Sequence, residues 1–344
     1  MIHNIWTYSA VGILIVGIII MTLPHKNSFF HDQPSVAAKK ALAAFLNQPA
    51  DDISCKLLTA SEEAIIVKCT HQVTSYIVKL FSTSQSGENE IAWTRHASDL
   101  GIGPKLYYAD STGNYMLIEF AKGNSLVPAT ANTPAIIKSI ATSVARLHHS
   151  SAPFAHESDM FARIDTKYKK LNCSGILKDM SENDLQQVKK IETQLQSLEI
   201  SPVPCHNDLN WGNIFASNNR VTLIDWGDAA PGNPYYDIAA FFVLNVIEKE
   251  NEKLFFEQYD GKLLSAEWQA YMQLYKQLVY FEFALNLLLG VQARKSELLH
   301  AQDITQVNHI NYYLTLLAEQ EVEIDSAFLY NMAIASLKKM ASGF

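Results

Sequence analysis

Hydrophobic and polar positions follow three regimes along this 344-residue chain. The first is a run of nineteen residues without a formal charge, Ile5 to Leu23, closed by Pro24-His25-Lys26. As a helix it would extend about 28 Å, the thickness of a bilayer core. Met1 to Asn4 holds no Lys or Arg, and Met21-Thr22-Leu23-Pro24 offers no small-x-small cleavage pattern, so the run reads as an uncleaved anchor rather than a signal peptide. Lys26, Lys39 and Lys40 all follow it, which by the positive-inside tendency places the rest of the chain in the cytoplasm, attached to the inner face of a membrane. Two plainer readings are a start at Met21 and a buried core helix.

The second regime begins after a polar linker at residues 24–34. Ser35 to Asn47 has Ser at a helix N-cap position and an apolar face at helical spacing. Ile53–Leu58, Ala64–Cys69 and Thr74–Phe81 are short, β-branched or aromatic and separated by polar turns, the pattern of an antiparallel meander. Glu88 to Leu100 is predicted helical and is stopped by Gly101-Ile102-Gly103-Pro104. Leu106–Ala109 and Tyr115–Phe120 are two further strands. In the third regime, from Pro134 onward, helices dominate, interrupted by one polar, strand-rich island at Val203–Ala230.

Composition sharpens this picture. With 48% apolar and 18% charged residues the chain is that of a folded protein, and its mean hydropathy of -0.01 is raised by the charge-free run. The 27 basic and 35 acidic residues give a net charge of -8, which disfavours nucleic acid as a partner and favours a cationic or metal-chelated ligand. Cys55, Cys69, Cys173 and Cys205 show no zinc-like spacing and read as reduced thiols.

The island carries the chemistry. It contains His206-x-Asp208-x-x-x-x-Asn213, and Asp225 ends the apolar strand VTLID twelve residues later. In phosphoryl transfer one carboxylate orients the attacking hydroxyl and takes its proton. A second carboxylate and an amide oxygen hold Mg2+, a hard cation, against the nucleotide phosphates. Asp208 suits the first role, and Asn213 with Asp225 suits the second.

These residues resemble the catalytic and metal-binding motifs of the choline kinase and aminoglycoside phosphotransferase superfamily. The resemblance continues through Tyr76-Ile77-Val78-Lys79-Leu80, Glu90, the stretch Gly101 to Tyr107, Ile118-Glu119-Phe120-Ala121-Lys122-Gly123, Leu147-His148 and Asp237. It implies an α+β, bilobed protein-kinase-like fold, with an antiparallel-sheet N-lobe at residues 34–120 and a mainly helical C-lobe at 121–344, preceded by the hydrophobic segment at 1–33. It further implies ATP bound by Lys79, Glu90 and Ser61 and by the backbone of Glu119 and Ala121. His206 and Asp237 would be structural supports, and the reaction would be phosphorylation of a hydroxyl on a small molecule. The sequence departs from the family in one place. The turn Thr59-Ala60-Ser61-Glu62-Glu63 contains no glycine, where the family uses glycines to bring backbone amides to phosphate. Asp225 is followed by Trp226-Gly227 and no Ala-Pro-Glu follows, which disfavours a protein substrate.

For the acceptor, Trp211, Asp228, Trp268, Tyr275 and Glu282 are candidates, the last three as parts of an aromatic box for a cationic amine. Aromatics at three- and four-residue spacing are also the ordinary buried face of a helix. Choline, ethanolamine and thiamine are the acceptors this reading favours. Its alternatives are an aminoglycoside antibiotic, a membrane-tethered pseudokinase acting as a binding module, and a secreted effector.

Overall fold

The computed structural model describes residues 34–61, 63–151, 153, 158–172, 182–263, 265–294, 307–319 and 324–343. The charge-free run at 5–23, the linker up to residue 33, Glu62 and Cys173 lie outside the described residues. Among those described, no helix is long and apolar enough to cross a membrane.

Helix α1 (Pro34–Leu46) lies on a five-stranded antiparallel sheet. Strands β1 (Ile53–Ala60), β2 (Ala64–His71) and β3 (Thr74–Phe81) form the meander the alternation predicts. Strands β4 (Leu106–Ala109) and β5 (Tyr115–Glu119) complete the sheet in the order β1-β2-β3-β5-β4. Side chains alternate across a strand. Val78 and Leu80 therefore join Leu42, Val67 and Leu117 under α1, while Phe81 packs with Ile91 and Met116 on the opposite face, the face to which Lys79 also belongs. The register sets Lys79 between Ile66 and Met116.

The same pairing corrects the reading of the cysteines as reduced thiols. Cys55 on β1 is directly opposite Cys69 on β2, and the two form a disulfide. Pairing across a sheet depends on register, which cysteine spacing alone does not encode. Cys205 is free and buried.

Helix α2 (Ser84–Asp99) begins four residues before the predicted Glu88, because Thr83 caps it and accepts the Ser86 N–H at 3.3 Å. Gly87 in its first turn is a close-approach position, since a Cβ there would lie 1.8 Å from the Gly113 carbonyl in the β4–β5 turn. The crossing to the second lobe runs through residues 120–123. Gly123 adopts a φ of +100° and a Cβ on it would come within 2.0 Å of the Ala216 carbonyl, so this crossing is held flush against the second lobe.

Beyond it the chain adds β6 (Asn124–Ser125), β7 (Val203–Cys205), β8 (Ile214–Ser217), β9 (Arg220–Leu223) and β10 (Ala230–Gly232). Strands β6-β8-β9 form one small sheet and β7-β10 another. Around them pack α3 (Pro128–Ala131), α4 (Pro134–His148), α5 (Met160–Asn172), α6 (Glu182–Gln196), α7 (Pro234–Leu244), α8 (Lys249–Asp260), α9 (Ala266–Ala293), α10 (Ile310–Glu319) and α11 (Ser326–Ser342). One apolar cluster, including Leu147, Phe241, Phe255, Tyr275 and Phe281, unites this lobe. The bilobed architecture, with an antiparallel sheet in the smaller lobe and helices in the larger, is the one the resemblance implies.

Candidate active site

Lys79 meets α2 and the β9–β10 loop at one point. Its Nζ donates to Glu90 Oε1 at 2.5 Å and to Asp225 Oδ1 at 2.7 Å. Burial pushes the amine down, but the two carboxylates more than reverse this and hold it charged above the usual lysine range. Asp225 feels the same contest from the other side. Burial pushes its carboxyl up, the Lys79 ammonium outweighs that, and the net direction is down. Asp225 sits at a φ of +63°, an uncommon conformation for a non-glycine residue, so the surrounding contacts fix how its carboxylate is presented.

The loop after β7 is built around Asp237 on α7. This fully buried carboxylate accepts three hydrogen bonds: from the backbone N–H of His206 at 3.0 Å, from that of Asn207 at 2.8 Å, and from His148 Nε2 at 3.0 Å. Asn207, with a φ of +62°, turns the chain. His206 accepts the Asp208 N–H on Nδ1 and donates Nε2–H to the Ile224 carbonyl at 3.0 Å. It thus bridges the Asp208 loop to the strand that presents Asp225. Burial lowers its pKa and keeps the ring neutral, as this donor–acceptor pattern requires.

Asp208 is positioned by two amides. Asn210 Nδ2 donates to its Oδ1 at 2.8 Å and Asn213 Nδ2 to its Oδ2 at 2.6 Å. Burial, reinforced by the nearby Asp228 charge, pushes the Asp208 carboxyl up to about 7. Asn213 is 1% exposed, and its Oδ1 is buried with no hydrogen-bond donor among the described residues. A buried amide oxygen left without a donor is costly in a native site. Asn213 Oδ1 and the Asp225 carboxylate are both hard oxygen donors of the kind that Mg2+ takes.

Two joined cavities occupy the cleft. One, about 300 Å³, is lined by Ile66, Ile77, Met116, Ile118, Phe120 and Ile224, and also by Glu119 and Ala121 of the crossing segment; its size and apolar walls suit an adenine ring. The second, about 170 Å³, shares Lys79, Glu90 and Asp225 with it and adds Ser61, Asp208 and Asp228. Ser61, Lys79, Glu90, Glu119, Ala121, Asp208, Asp225 and Asp228 therefore line one continuous cleft, with Asn213 bonded to Asp208 behind it.

The remaining candidates are placed differently. Trp211 is 3% exposed and belongs to the core cluster. Tyr275 is buried, and its hydroxyl accepts from Asn233 Nδ2 at 3.0 Å. Trp268 stacks on Tyr235 with ring centroids 4.5 Å apart, and Tyr235 in turn stacks on Tyr275 at 6.1 Å. Glu282 is spent on other side chains. It accepts from Arg163 Nε and Nη2, each at 3.2 Å, from Lys167 Nζ at 2.7 Å, and from the Tyr236 hydroxyl. Burial pushes the Glu282 carboxyl up, but Lys167 and Arg163 bring it down to about 2.

Sequence reasoning missed Asn210, Arg163 and Lys167. Asn210 stood in plain view two residues from Asp208. Arg163 and Lys167 share a helix face at i and i+4 spacing, but nothing local indicates the carboxylate they meet.

A strand lysine paired to a helix glutamate, with Asp208 and Asp225 across the cleft, is the arrangement of a kinase-type phosphotransferase site. The profile of the family described as "Phosphotransferase enzyme family" matches residues 60–277, and the chain belongs to that family. A protein LicA homolog from Metamycoplasma hominis is 26% identical over 189 residues, covering 55% of this chain and 70% of that protein. Human ethanolamine kinase 1 is 24% identical over 245 residues, covering 67% of this chain and about half, 51%, of its own length. Among solved structures, choline kinase LicA from Streptococcus pneumoniae superimposes with a TM-score of 0.64 at 20% identity, covering 89% of this chain and 99% of that one. The ADP-bound aminoglycoside phosphotransferase APH(2'')-Ib has a TM-score of 0.54 at 16% identity, over 88% and 98% of the two chains.

Proposed function

We propose that this chain transfers the γ-phosphoryl group of ATP to the hydroxyl of a small amino alcohol of the choline or ethanolamine type. The observation that carries this reading is the Asp208–Asn213–Asp225 constellation. It provides one carboxylate held by amide donors, one buried amide oxygen without a donor, and a second carboxylate in the same cleft. The matches to LicA and ethanolamine kinase 1 support the acceptor class.

In the proposed mechanism the adenine lies among Ile66, Ile77, Met116 and Ile224, and the Lys79 ammonium, kept in place by Glu90, binds the α- and β-phosphates. Asn213 Oδ1 and the Asp225 carboxylate would hold Mg2+, which supplies charge neutralisation on the phosphate oxygens when bound. Asp208 aligns the acceptor hydroxyl with the γ-phosphorus and takes its proton as the new P–O bond forms and the bond from the γ-phosphorus to the β,γ-bridging oxygen breaks, releasing ADP. Tyr235 and Trp268, stacked on one another and half-buried, are the aromatic pair assigned to the amine, with Tyr275 wholly buried beneath Tyr235. Glu282 is not available to it, because Arg163 and Lys167 already neutralise that carboxylate.

An ADP-release assay across choline, ethanolamine, thiamine and aminoglycosides tests the reading. The expected outcome is turnover confined to amino alcohols and lost in D208A. Full turnover in D208A, or turnover with an aminoglycoside alone, would overturn it. The run at residues 5–23 remains a proposed anchor, checked by whether full-length protein, and not a form starting at residue 34, sediments with membranes.

A further inference from the structure

The hairpin of β8 and β9 has two faces. Ile214 pairs with Leu223 and Ala216 with Val221, and these four side chains pack with the core of the large lobe. Because side chains alternate along a strand, the pairs Phe215–Thr222 and Ser217–Arg220 belong to the opposite face. Asn218 and Asn219, with φ of +49° and +60°, close the two-residue turn and fix Ser217 and Arg220 directly opposite one another. Phe215 of this face lines the apolar cavity of the cleft. Further along the same face is another cavity, about 380 Å³, walled by Ser217, Asn218, Arg220 and Thr222 of the hairpin and by Glu119 and Lys122 at the crossing between the lobes. Neither Asp208, Asp225 nor Asp228 lines it.

Its chemistry is the reverse of the catalytic end of the cleft. Two cationic head groups, two hydroxyls and an amide face it, against the single carboxylate of Glu119. Among the described residues neither Lys122 nor Arg220 is in an ion pair, and no hydrogen bond engages the side chains of Ser217, Asn218 or Thr222. In a chain of net charge -8, two cations left over and turned to one polar cavity attract an anion. A guanidinium fork matches two phosphate oxygens at once, and an ammonium adds a compact charge beside it.

We propose that this cavity is a binding site for a small phosphomonoester, separate from the catalytic cleft, with Arg220 and Lys122 on the phosphate and the hydroxyls of Ser217 and Thr222 completing its shell. Glu119, in the same wall, selects among phosphomonoesters in favour of one that also carries an ammonium group. A ligand held in this way ties Lys122 of the crossing to Arg220 of the large lobe and stiffens the segment that joins the lobes. The inference goes beyond the phosphotransferase reading and does not depend on it.

The test titrates inorganic phosphate and O-phosphoethanolamine into the full chain by calorimetry, with the cleft filled by Mg2+ and a non-hydrolysable ATP analogue. Both are expected to bind the wild type, phosphoethanolamine the more tightly. R220Q and K122Q should each weaken phosphate about tenfold, the effect of removing one of its two charge partners. E119Q should tighten inorganic phosphate and erase the advantage of phosphoethanolamine. R220Q should leave turnover without added phosphate unchanged, and phosphate should slow hydrogen exchange at residues 120–123 in the wild type but not in R220Q. No binding at millimolar phosphate, binding that the analogue abolishes, or binding that R220Q and K122Q leave unchanged would overturn the proposal. An analogue that does not bind, together with no turnover, would overturn the kinase reading instead, and the two variants would still decide this site.

Discussion

As the proposed base, Asp208 would serve two opposed requirements. It would have to be ionised to take a proton, yet it is buried beside Asp228 and its carboxyl is pushed up to about 7. The base form is thus lost as pH falls through that value, and kcat/KM is expected to drop about tenfold per unit on the acid side and level off above it. D228N removes one of the charges that raise this carboxyl, so the acid limb should move to lower pH in that variant. A limb that stays in place would assign the titration to another group. D208N should cost about 100- to 10,000-fold in kcat while the folded content seen by circular dichroism is unchanged. That Asp208 bonds Asn213 and shares a cavity with Asp225 was legible in the sequence, because all three lie on one short loop and the strand that follows it. Arg163, Lys167 and the role of Glu282 were not, because their meeting joins helices more than a hundred residues apart in the chain.

Elements show the same division. Strand alternation and the Gly-Ile-Gly-Pro stop were enough to place the meander and the end of α2, since both are local properties. The start of α2 was misplaced by four residues because a threonine cap, not apolar periodicity, begins it. The aromatic stripe of α9 was ambiguous by nature: Tyr275 and Phe281 are core, while Trp268 is stacked near the helix start. Glu282 on α9 ties this helix to α5 through Arg163 and Lys167. E282Q should therefore lower stability by about 3 to 5 kcal/mol, as for a buried pair deprived of one partner, measured by urea denaturation. If Glu282 acted only on the acceptor amine, stability would be unchanged and KM alone would rise. The disulfide between β1 and β2 closes a loop with a sequence separation of 14. Reduction, or C55S, is expected to cost about 2 to 3 kcal/mol on the loop-entropy scale, read from denaturation with and without reductant. An unchanged midpoint would show that the strands hold their register unaided.

At the scale of the whole molecule, the cleft between the lobes should report ligand loading. Magnesium and ADP at about a hundred times the dissociation constant should stabilise the folded protein by about 2.7 kcal/mol, visible as a rise in Tm. K79A should abolish most of that rise. The net charge of -8 accords with the proposed mechanism, in which phosphate binding draws on Lys79 and a bound cation rather than on a basic surface. The Lys79–Asp225 contact carries a further consequence. Lys79 comes from the small lobe and Asp225 from the large one, so their 2.7 Å ion pair is a clasp between the lobes. In the proposed mechanism, loading the site has both partners exchange: the carboxylate turns to a cation and the ammonium to a phosphate. The lobes would thus be held in register by this pairing beforehand and by a bridging ligand afterwards. Hydrogen exchange at residues 120–123 should accelerate in K79A without ligand more than it does in the wild type.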